Sequence, residues 1–255
     1  MLISIALVSG PVIRFGRNYI TVSEIAQQLY CEYKLHLSII EGKIQTPAME
    51  MGIIIHDEVF KGSRVSVEGL VNAVRNNELV IATLPLMVNI NEITVIGIPD
   101  AVLFMKGVAK AVIELKTSNR WLDRLFDSEY VQAQLYAYLV NKLGLGVDPL
   151  VMVIKTKRDS SATEKLRKNI YSAAIKYLVS TMEVPAKVKF RDFVIYINGF
   201  DRSIEAHLKW ALDYWLMHRE PGASPTIGKC ATCEFNDRCP FRVYTPSNAD
   251  VRDRT

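Results

Sequence analysis

The stretch IGIPDAVLFMKGVAKAVIELKTS, residues 96–118, predicts the centre of the fold. Its two halves are rich in Val, Ile and Ala, and they predict two antiparallel strands joined by a tight loop. Gly107 suits the left-handed position of a three-residue hairpin loop over residues 105–107. The second half carries Glu114 and Lys116 at alternate positions of an otherwise apolar run, where charged groups are costly to bury.

The register of this hairpin predicts which side chains meet. A loop over residues 105–107 pairs Phe104 with Val108 and sets Asp100 opposite Val112. Glu114 is then a diagonal neighbour of Asp100 on the same face of the sheet. A two-residue loop would shift the pairing by one and send Asp100 to the opposite face.

An aspartate, a glutamate and a lysine on one face are suited to a particular chemistry. Two converging carboxylates can hold one hard cation through their oxygens. Lys116 can orient a water or offset charge on a phosphate. Asp100, Glu114 and Lys116 therefore favour metal-dependent phosphodiester cleavage, and the alternative is an ion pair at the rim of the sheet.

The rest of the chain predicts an α/β sandwich around a mixed central sheet flanked by helices. The sequence TVSE at residues 21–24 matches a capping box, and it starts a helix that runs to about Ser38. Further helices are predicted at 47–60, 129–142, 162–180 and 202–218, and strands at 79–89, 93–105, 108–116, 149–156 and 188–198. The apolar residues 1–8 are interpreted as a buried strand rather than a targeting signal.

Composition limits the class of protein. With 49% hydrophobic and 23% charged residues in 255, the chain is expected to fold as one large domain, or as a domain with an appendage. The net charge of +4 permits a polyanionic partner without requiring one. No apolar run is long enough to cross a bilayer, so a cytoplasmic protein with no membrane partner is expected.

The cysteines form a one-plus-three pattern. Cys230, Cys233 and Cys239 lie in the tail with the spacing C-x2-C-x5-C, and Cys31 lies nearly 200 residues earlier. Disulfides are a poor expectation for a cytoplasmic chain, whereas four thiolates suit zinc or an iron–sulfur cluster. Zinc ribbons usually present two CxxC pairs, which this pattern does not.

The spacing D-x13-E-x-K, preceded by GIIIH and followed by QLYAY, resembles the RecB-like branch of the PD-(D/E)XK nuclease superfamily. The resemblance implies that His56 joins Asp100, Glu114 and the backbone carbonyl of Leu115 around Mn²⁺ or Mg²⁺. It also implies that a glutamine and a tyrosine from a Q-x3-Y helix act beside Lys116. Gln134 with Tyr138 is the preferred pair, and Gln132 with Tyr136 is an alternative with the same spacing.

The cysteine pattern is similar to that of the CRISPR-associated Cas four family, whose fold is restriction-endonuclease-like. This resemblance implies a [4Fe–4S] cluster on the four cysteines, in a subdomain that joins the N-terminal helix to the C-terminal tail. Residues 1–255 then form one RecB-like nuclease domain, with a core over 47–200. The cysteine region is drawn from 21–45 and 221–245.

The same resemblance implies a metal-dependent exonuclease that hydrolyses single-stranded DNA. It also implies prespacer processing in CRISPR adaptation, alongside the Cas-one and Cas-two integration proteins. Two alternatives stay open: a DNA repair nuclease outside CRISPR, and an inactive nuclease fold that only binds DNA.

Candidate DNA contacts lie next to these motifs. Lys155, Lys157 and Arg158 belong to a basic segment that can contact phosphates, although a solvated surface is the alternative. Trp121 and Tyr130 can stack on unpaired bases or simply pack in the core.

Overall fold

The computed structural model of this chain describes residues 11–60, 66–118, 121–157, 168–169, 172–173, 176 and 184–243. Its helices are α1 (Val22–Ile40), α2 (Pro47–Val59), α3 (Val67–Arg75), α4 (Asp127–Lys142), α5 (Ile204–Trp215) and α6 (Ile227–Ala231). Its strands are β1 (Tyr19–Thr21), β2 (Val80–Ala82), β3 (Leu86–Ile90), β4 (Ile93–Gly97), β5 (Ala101–Met105), β6 (Val108–Thr117), β7 (Leu150–Thr156), β8 (Ala186–Lys189) and β9 (Phe193–Asn198).

Two of the predicted elements fall largely outside this description. The strand expected within residues 1–8 lies outside the described residues, and so does most of the helix expected at 162–180. Among the residues that are described, no helix is both long and apolar enough to cross a membrane.

The strands form two sheets. The main sheet has six strands in the order β2-β5-β6-β7-β9-β8, and a smaller sheet has the order β1-β4-β3. In the main sheet β6 and β7 run parallel, whereas the neighbours on either side pair antiparallel. The prediction of a mixed central sheet flanked by helices is therefore confirmed.

Each face of the main sheet carries its own hydrophobic core. Val112 faces a core shared with residues of α1, α4 and α5. Ile113 and Leu115 face the opposite core, which includes Ile55 and Val59 of α2. Side chains alternate along a strand, so Glu114 and Lys116 lie on the face of Val112, towards α4.

The hairpin between β5 and β6 differs from the predicted one. Met105 pairs with Val108, so the turn contains only two residues, Lys106 and Gly107. Both have positive φ, +53° and +76°, as expected for the tight turns that match the twist of a hairpin. The predicted three-residue loop is therefore wrong, and so is the pairing of Phe104 with Val108.

A bulge corrects the consequence of that shorter turn. The register shifts between Phe104 and Leu103, and beyond the shift Val102 pairs with Val112. Continuing this register sets Asp100 opposite Glu114, rather than opposite Val112 as predicted. The turn alone would have sent Asp100 to the other face, and the one-residue shift of the bulge returns it to the face of Glu114.

Other boundaries follow local chemistry. The predicted capping box is present, since the Thr21 hydroxyl accepts a hydrogen bond from the Glu24 amide and the Glu24 carboxylate accepts one from Thr21 N. The predicted strands at 79–89 and 93–105 are each interrupted, at 83–85 and 98–100, where Pro85 and Pro99 cannot donate a ladder hydrogen bond.

Candidate active site

Asp100 links the end of the central hairpin to α2. Its Oδ1 lies 2.8 Å from Nδ1 of His56, and its Oδ2 accepts a 2.7 Å hydrogen bond from the backbone N–H of Leu115. The backbone carbonyl of Asp100 also accepts a 2.6 Å hydrogen bond from the Thr83 hydroxyl. These contacts bring together residues 44 positions apart in the chain, as the sequence predicted for His56 and Asp100.

The second carboxylate, Glu114, belongs to a closed group with Lys116 and Gln132. Lys116 Nζ donates to Glu114 Oε1 and to Gln132 Oε1, both at 2.7 Å. Gln132 Nε2 in turn donates to Glu114 Oε1 at 2.9 Å and to the Tyr136 hydroxyl oxygen at 3.0 Å. The amide of Gln132 thus fixes the position of the Lys116 ammonium relative to the Glu114 carboxylate.

Glu114 and Lys116 affect one another's pKa. Burial raises the pKa of Glu114 to about 7, and the nearby charge of Asp100 acts in the same direction against the opposing effect of Lys116. For Lys116, burial lowers the pKa, but the charge and hydrogen bond of Glu114 raise it further, so the lysine stays protonated. Burial also opposes the pKa rise of His56, which the hydrogen bond to Asp100 produces.

Hydrogen bonds distinguish the two candidate Gln and Tyr pairs on α4. Gln134 Nε2 donates to Gly199 O at 2.9 Å, and its Oε1 accepts from Asp201 N at 2.9 Å, so this side chain holds the turn before α5. Tyr138 is buried in the core with its ring 5.1 Å from Lys142 Nζ. The preference for Gln134 and Tyr138 is therefore corrected, and the pair beside Lys116 is Gln132 with Tyr136.

The helix geometry explains this correction. Residues two apart in an α-helix point roughly 200° apart, so only one of the two pairs can face β6. Every residue of α4 from 131 to 140 is buried, because the helix has neighbours all round. The pattern of apolar residues therefore could not predict which side of this helix faces β6.

The basic segment does not behave as predicted. Lys155 is fully buried, and its Nζ donates to Glu129 Oε2 at 2.8 Å and to Arg124 O at 2.7 Å. Its predicted contact with DNA is therefore corrected to a structural role at the start of α4. Lys157 is exposed with Nζ 3.6 Å from Asp192 Oδ1, and Arg158 lies outside the described residues.

The two aromatic candidates also separate. Trp121 is 56% exposed in the segment that follows β6, where it is available to a ligand. Tyr130 donates from its hydroxyl to Asp201 Oδ2 at 3.1 Å and packs against the main core. Of these two aromatic residues, Trp121 is the one whose ring is largely exposed to solvent.

The four cysteines line one cavity of about 30 Å³. Cys31 has extended backbone angles (φ −166°, ψ 105°) that interrupt α1, and the N–H of Tyr33 consequently bonds Gly222 O instead of continuing the helix. All four thiols are free, and burial raises the pKa of Cys233. A buried oxygen, Oδ1 of Asn236, has no hydrogen-bond partner at this cavity.

Polar contacts hold the tail against α1 around this cavity. Arg219 forms a two-pronged ion pair with the buried Glu32 at 2.5 and 2.7 Å, and Gly222 N donates to the same carboxylate at 2.7 Å. Lys34 pairs with Glu234 at 2.9 Å, and Lys229 Nζ donates to a carbonyl of α1 at 2.6 Å. The tail and the N-terminal helix are thus joined by ion pairs and hydrogen bonds around this cavity.

Both regions contain side chains of the types that bind metals. Within the described ranges, no three side chains of His, Cys, Asp or Glu are arranged to hold an ion. The donor types nevertheless fit a divalent cation at the sheet, since the charge of Asp100 raises the pKa of Glu114 and a bound cation would offset this repulsion. Four thiols around one cavity fit a thiophilic metal.

Comparison with known proteins places this site in a family. A family model described as the PD-(D/E)XK nuclease superfamily matches residues 56–240, which run from His56 to the residue after Cys239. No curated protein matches the chain. A solved structure titled "Crystal structure of SSO0001" is similar at a TM-score of 0.44 and 16% identity, over 89% of this chain and 88% of the other, a likeness too low to carry weight.

The family model covers well over half of the chain, and its range includes the aspartate, the glutamate, the lysine and the histidine described above. The chain belongs to the PD-(D/E)XK nuclease superfamily.

Proposed function

We propose that this chain is a divalent-metal-dependent deoxyribonuclease that degrades single-stranded DNA from an end. Membership of a nuclease superfamily supports hydrolysis of nucleic acid. The observation that carries the proposal is the hydrogen-bonded group of Glu114, Lys116 and Gln132, adjacent to the pair of Asp100 and His56. His56, Asp100, Glu114 and the carbonyl of Leu115 would hold Mn²⁺ or Mg²⁺.

A divalent cation at such a site polarises a scissile phosphate and lowers the pKa of bound water. The chain's own residues supply the rest of the reaction. Lys116 is protonated, so its ammonium orients a water and offsets negative charge that develops on the phosphate. Gln132 holds that ammonium in place, and the Tyr136 hydroxyl fixes the orientation of the Gln132 amide.

Replacing Glu114 tests the activity directly. Glu114→Gln keeps the size of the side chain while it removes the charge that the cation requires, and we expect cleavage of single-stranded DNA with Mn²⁺ to fall about a thousandfold. The measurement is release of labelled fragments from an end-labelled strand. Equal cleavage by the wild type and the variant would place the active site elsewhere.

The same assay addresses the inactive-fold alternative. A wild-type protein that binds DNA but cuts neither single strands nor duplexes with Mn²⁺ or Mg²⁺ would identify a binding module. The complete set of acidic and basic side chains at β5 and β6 supports the enzyme instead.

We propose that the cysteine cavity holds a [4Fe–4S] cluster. The one-plus-three spacing of the thiols and the absence of a competing disulfide among the four support this group. When bound, the cluster joins α1 to the tail, so that metal binding and folding of the region are linked. A bound zinc ion is the second candidate, because a cavity of about 30 Å³ accepts a single ion with less widening than a cluster needs.

Colour and metal content separate these candidates. A cluster gives a brown protein with stoichiometric iron and sulfide, and Cys31→Ala should abolish both. A colourless protein with one zinc per chain would reject the cluster. Neither metal in protein purified without oxygen would reject both candidates.

The biological setting is proposed as prespacer processing in CRISPR adaptation, in association with the Cas-one and Cas-two integration proteins. Its support is the combination of a nuclease core with a one-plus-three cysteine set. A repair nuclease acting on broken DNA ends has the same chemistry. Adjacency of the gene to a CRISPR array, together with co-purification of the two integration proteins, tests the first setting.

A further inference from the structure

A cleft of about 550 Å³ extends from the candidate active site along α1. Its walls come from α1, from residues 43–53 and from the start of α4. Lys116 and Gln132 stand at its catalytic end, whereas Tyr30 and Lys34 stand at the other. We call this feature the α1 cleft.

The far end of the α1 cleft is the wall of the cysteine cavity. Tyr30 and Lys34, which lie on either side of the break at Cys31, line both the cleft and the cavity. Lys34 Nζ lies 2.9 Å from Glu234 and 5.5 Å from the centre of the Tyr30 ring. A ligand that fills the cleft therefore reaches from the catalytic lysine to the cysteine region.

The charge of the cleft suits an anion. Three lysines line it, namely Lys34, Lys43 and Lys116. Its two glutamates each have a lysine partner, since Glu129 pairs with Lys155 and Glu234 pairs with Lys34. The negative charges of the lining are thus compensated. Lys116 likewise pairs with Glu114, and the exposed Lys43 adds positive charge to the lining.

The cleft also offers apolar surface that faces solvent. Ile44, Met49 and Ile53 are 39%, 43% and 54% exposed in the wall formed by residues 43–53. Paired bases are stacked inside a duplex, so their faces cannot reach such side chains, whereas the faces of unpaired bases can. Apolar side chains beside lysines therefore favour a single strand over a duplex.

We propose that the α1 cleft carries one unpaired DNA strand from Lys116 to the wall of the cysteine cavity. Lys43 and Lys34 contact its phosphates, and Ile44, Met49 and Ile53 contact its bases. This inference rests on the proposed nuclease function, and it assigns the strand path to the face of α1 rather than to the basic segment at 155–158. That segment's first lysine is buried.

The salt dependence of binding tests the phosphate contact. Each phosphate contact to a single strand contributes about 0.7 to the slope of log affinity against log salt concentration. We expect Lys43→Ala to reduce the slope for labelled oligothymidylate by about that amount, measured by fluorescence anisotropy in EDTA. The matched control is Lys209→Ala, an exposed lysine of α5 outside the cleft lining, which should keep the wild-type slope.

Two adjacent isoleucines test the contact with bases. Ile53 lines the cleft, whereas Ile54 is 47% exposed on α2 outside the lining. We expect Ile53→Asn to weaken binding of the unpaired strand roughly fivefold, with duplex affinity unchanged, and Ile54→Asn to bind as the wild type does. Both positions are exposed, so neither variant should fail to fold.

The outcomes separate this inference from the nuclease proposal. Metal-dependent cleavage by the wild type, with equal slopes for Lys43→Ala and wild type, would overturn the strand path and leave the nuclease standing. Equal losses for Ile53→Asn and Ile54→Asn would also overturn it. A wild-type protein that neither binds nor cuts DNA would overturn the nuclease function itself.

Discussion

The candidate active site and the cysteine region are held together in different ways. At the active site, the backbone ladder of β5 and β6 sets Asp100 opposite Glu114, and side-chain hydrogen bonds complete the arrangement. At the cysteine cavity the thiols belong to an interrupted helix and a tail with little regular structure. There the contacts that join the two segments include ion pairs, hydrogen bonds and an aromatic contact between Tyr33 and Phe241.

This difference has a consequence for stability. A sheet register is maintained by many backbone hydrogen bonds and by apolar burial on both faces, so the active site is expected to assemble without metal. The cysteine region has a smaller apolar core and several charged contacts, and in the pair of Arg219 with Glu32 the carboxylate side chain is only 2% exposed. Perturbing that pair should loosen the tail and leave the sheet intact.

The largest expected effect follows from removing Glu32. Glu32→Ala leaves Arg219 without its partner, and breaking a buried ion pair costs about 3–5 kcal/mol of unfolding free energy. Urea unfolding should show this loss, together with faster release of the metal proposed to bind the cysteines. Below the transition, the folded variant should still cut DNA.

A matched ion pair provides the control. Glu41 pairs with Arg238 between the same two segments, but the Arg238 side chain is 56% exposed. Glu41→Ala should therefore cost less than about 1 kcal/mol. Equal destabilisation by both variants would contradict the view that one buried pair holds the tail.

The same contrast explains what the sequence could predict. Alternating apolar residues and a turn glycine predicted the hairpin and its charged residues Asp100, Glu114 and Lys116, because short-range patterns encode these features. His56 was predicted only through the resemblance to a nuclease family, and the structure places it against Asp100. The bulge in β6 left no such pattern. Its effect cancelled the error in the turn, so the shared face of Asp100 and Glu114 was predicted correctly from an incorrect register.

Two other differences arise from tertiary packing. Lys155 lies in β7 directly after five apolar residues. Its ion-pair partner Glu129 is 26 residues away in the sequence, on α4. A lysine whose ammonium is satisfied internally cannot be distinguished in sequence from a surface lysine. In the same way, the side of α4 that faces β6 depends on the elements that pack around the helix.

A smaller effect separates the two glutamines of α4. Gln132→Met removes the group that holds Lys116, and we expect cleavage to fall about 10–100-fold, as for outer partners of a metal site. Gln134→Met removes two bonds to the turn before α5, which should cost about 1–3 kcal/mol of stability and leave the cleavage rate of the folded enzyme unchanged. The measurement is kcat/KM beside a urea midpoint for each variant.

The opposite result has a clear meaning. If Gln134→Met lowered kcat/KM at unchanged stability while Gln132→Met did not, the assignment from hydrogen bonds would be reversed. The pair Gln134 and Tyr138 would then be the functional one.

The smallest expected effect is a pH dependence of stability without divalent metal. Burial raises the pKa of Glu114 from 4.5 to about 7, so the folded state binds this proton more tightly than the unfolded state does. The stabilisation from the bound proton is complete below about pH 4.5, and it is lost as the pH rises through about 7. In EDTA, wild type should therefore lose stability relative to Glu114→Gln between pH 5 and pH 8.

Added Mn²⁺ should reverse this trend, because a cation bound only to the folded state stabilises it by about 2.7 kcal/mol at a hundred times its dissociation constant. The measurement is the difference between the urea midpoints of wild type and Glu114→Gln at each pH, with EDTA and with Mn²⁺. His56 also has a raised pKa, and the charge of Glu114 contributes to that rise. The difference between the two proteins therefore reports Glu114 together with its effect on His56, and both contributions have the same sign. If the urea midpoints of wild type and Glu114→Gln changed in parallel with pH in EDTA, Glu114 would be solvated. The sheet site would then lack the buried carboxylate that sets it apart from the cysteine region.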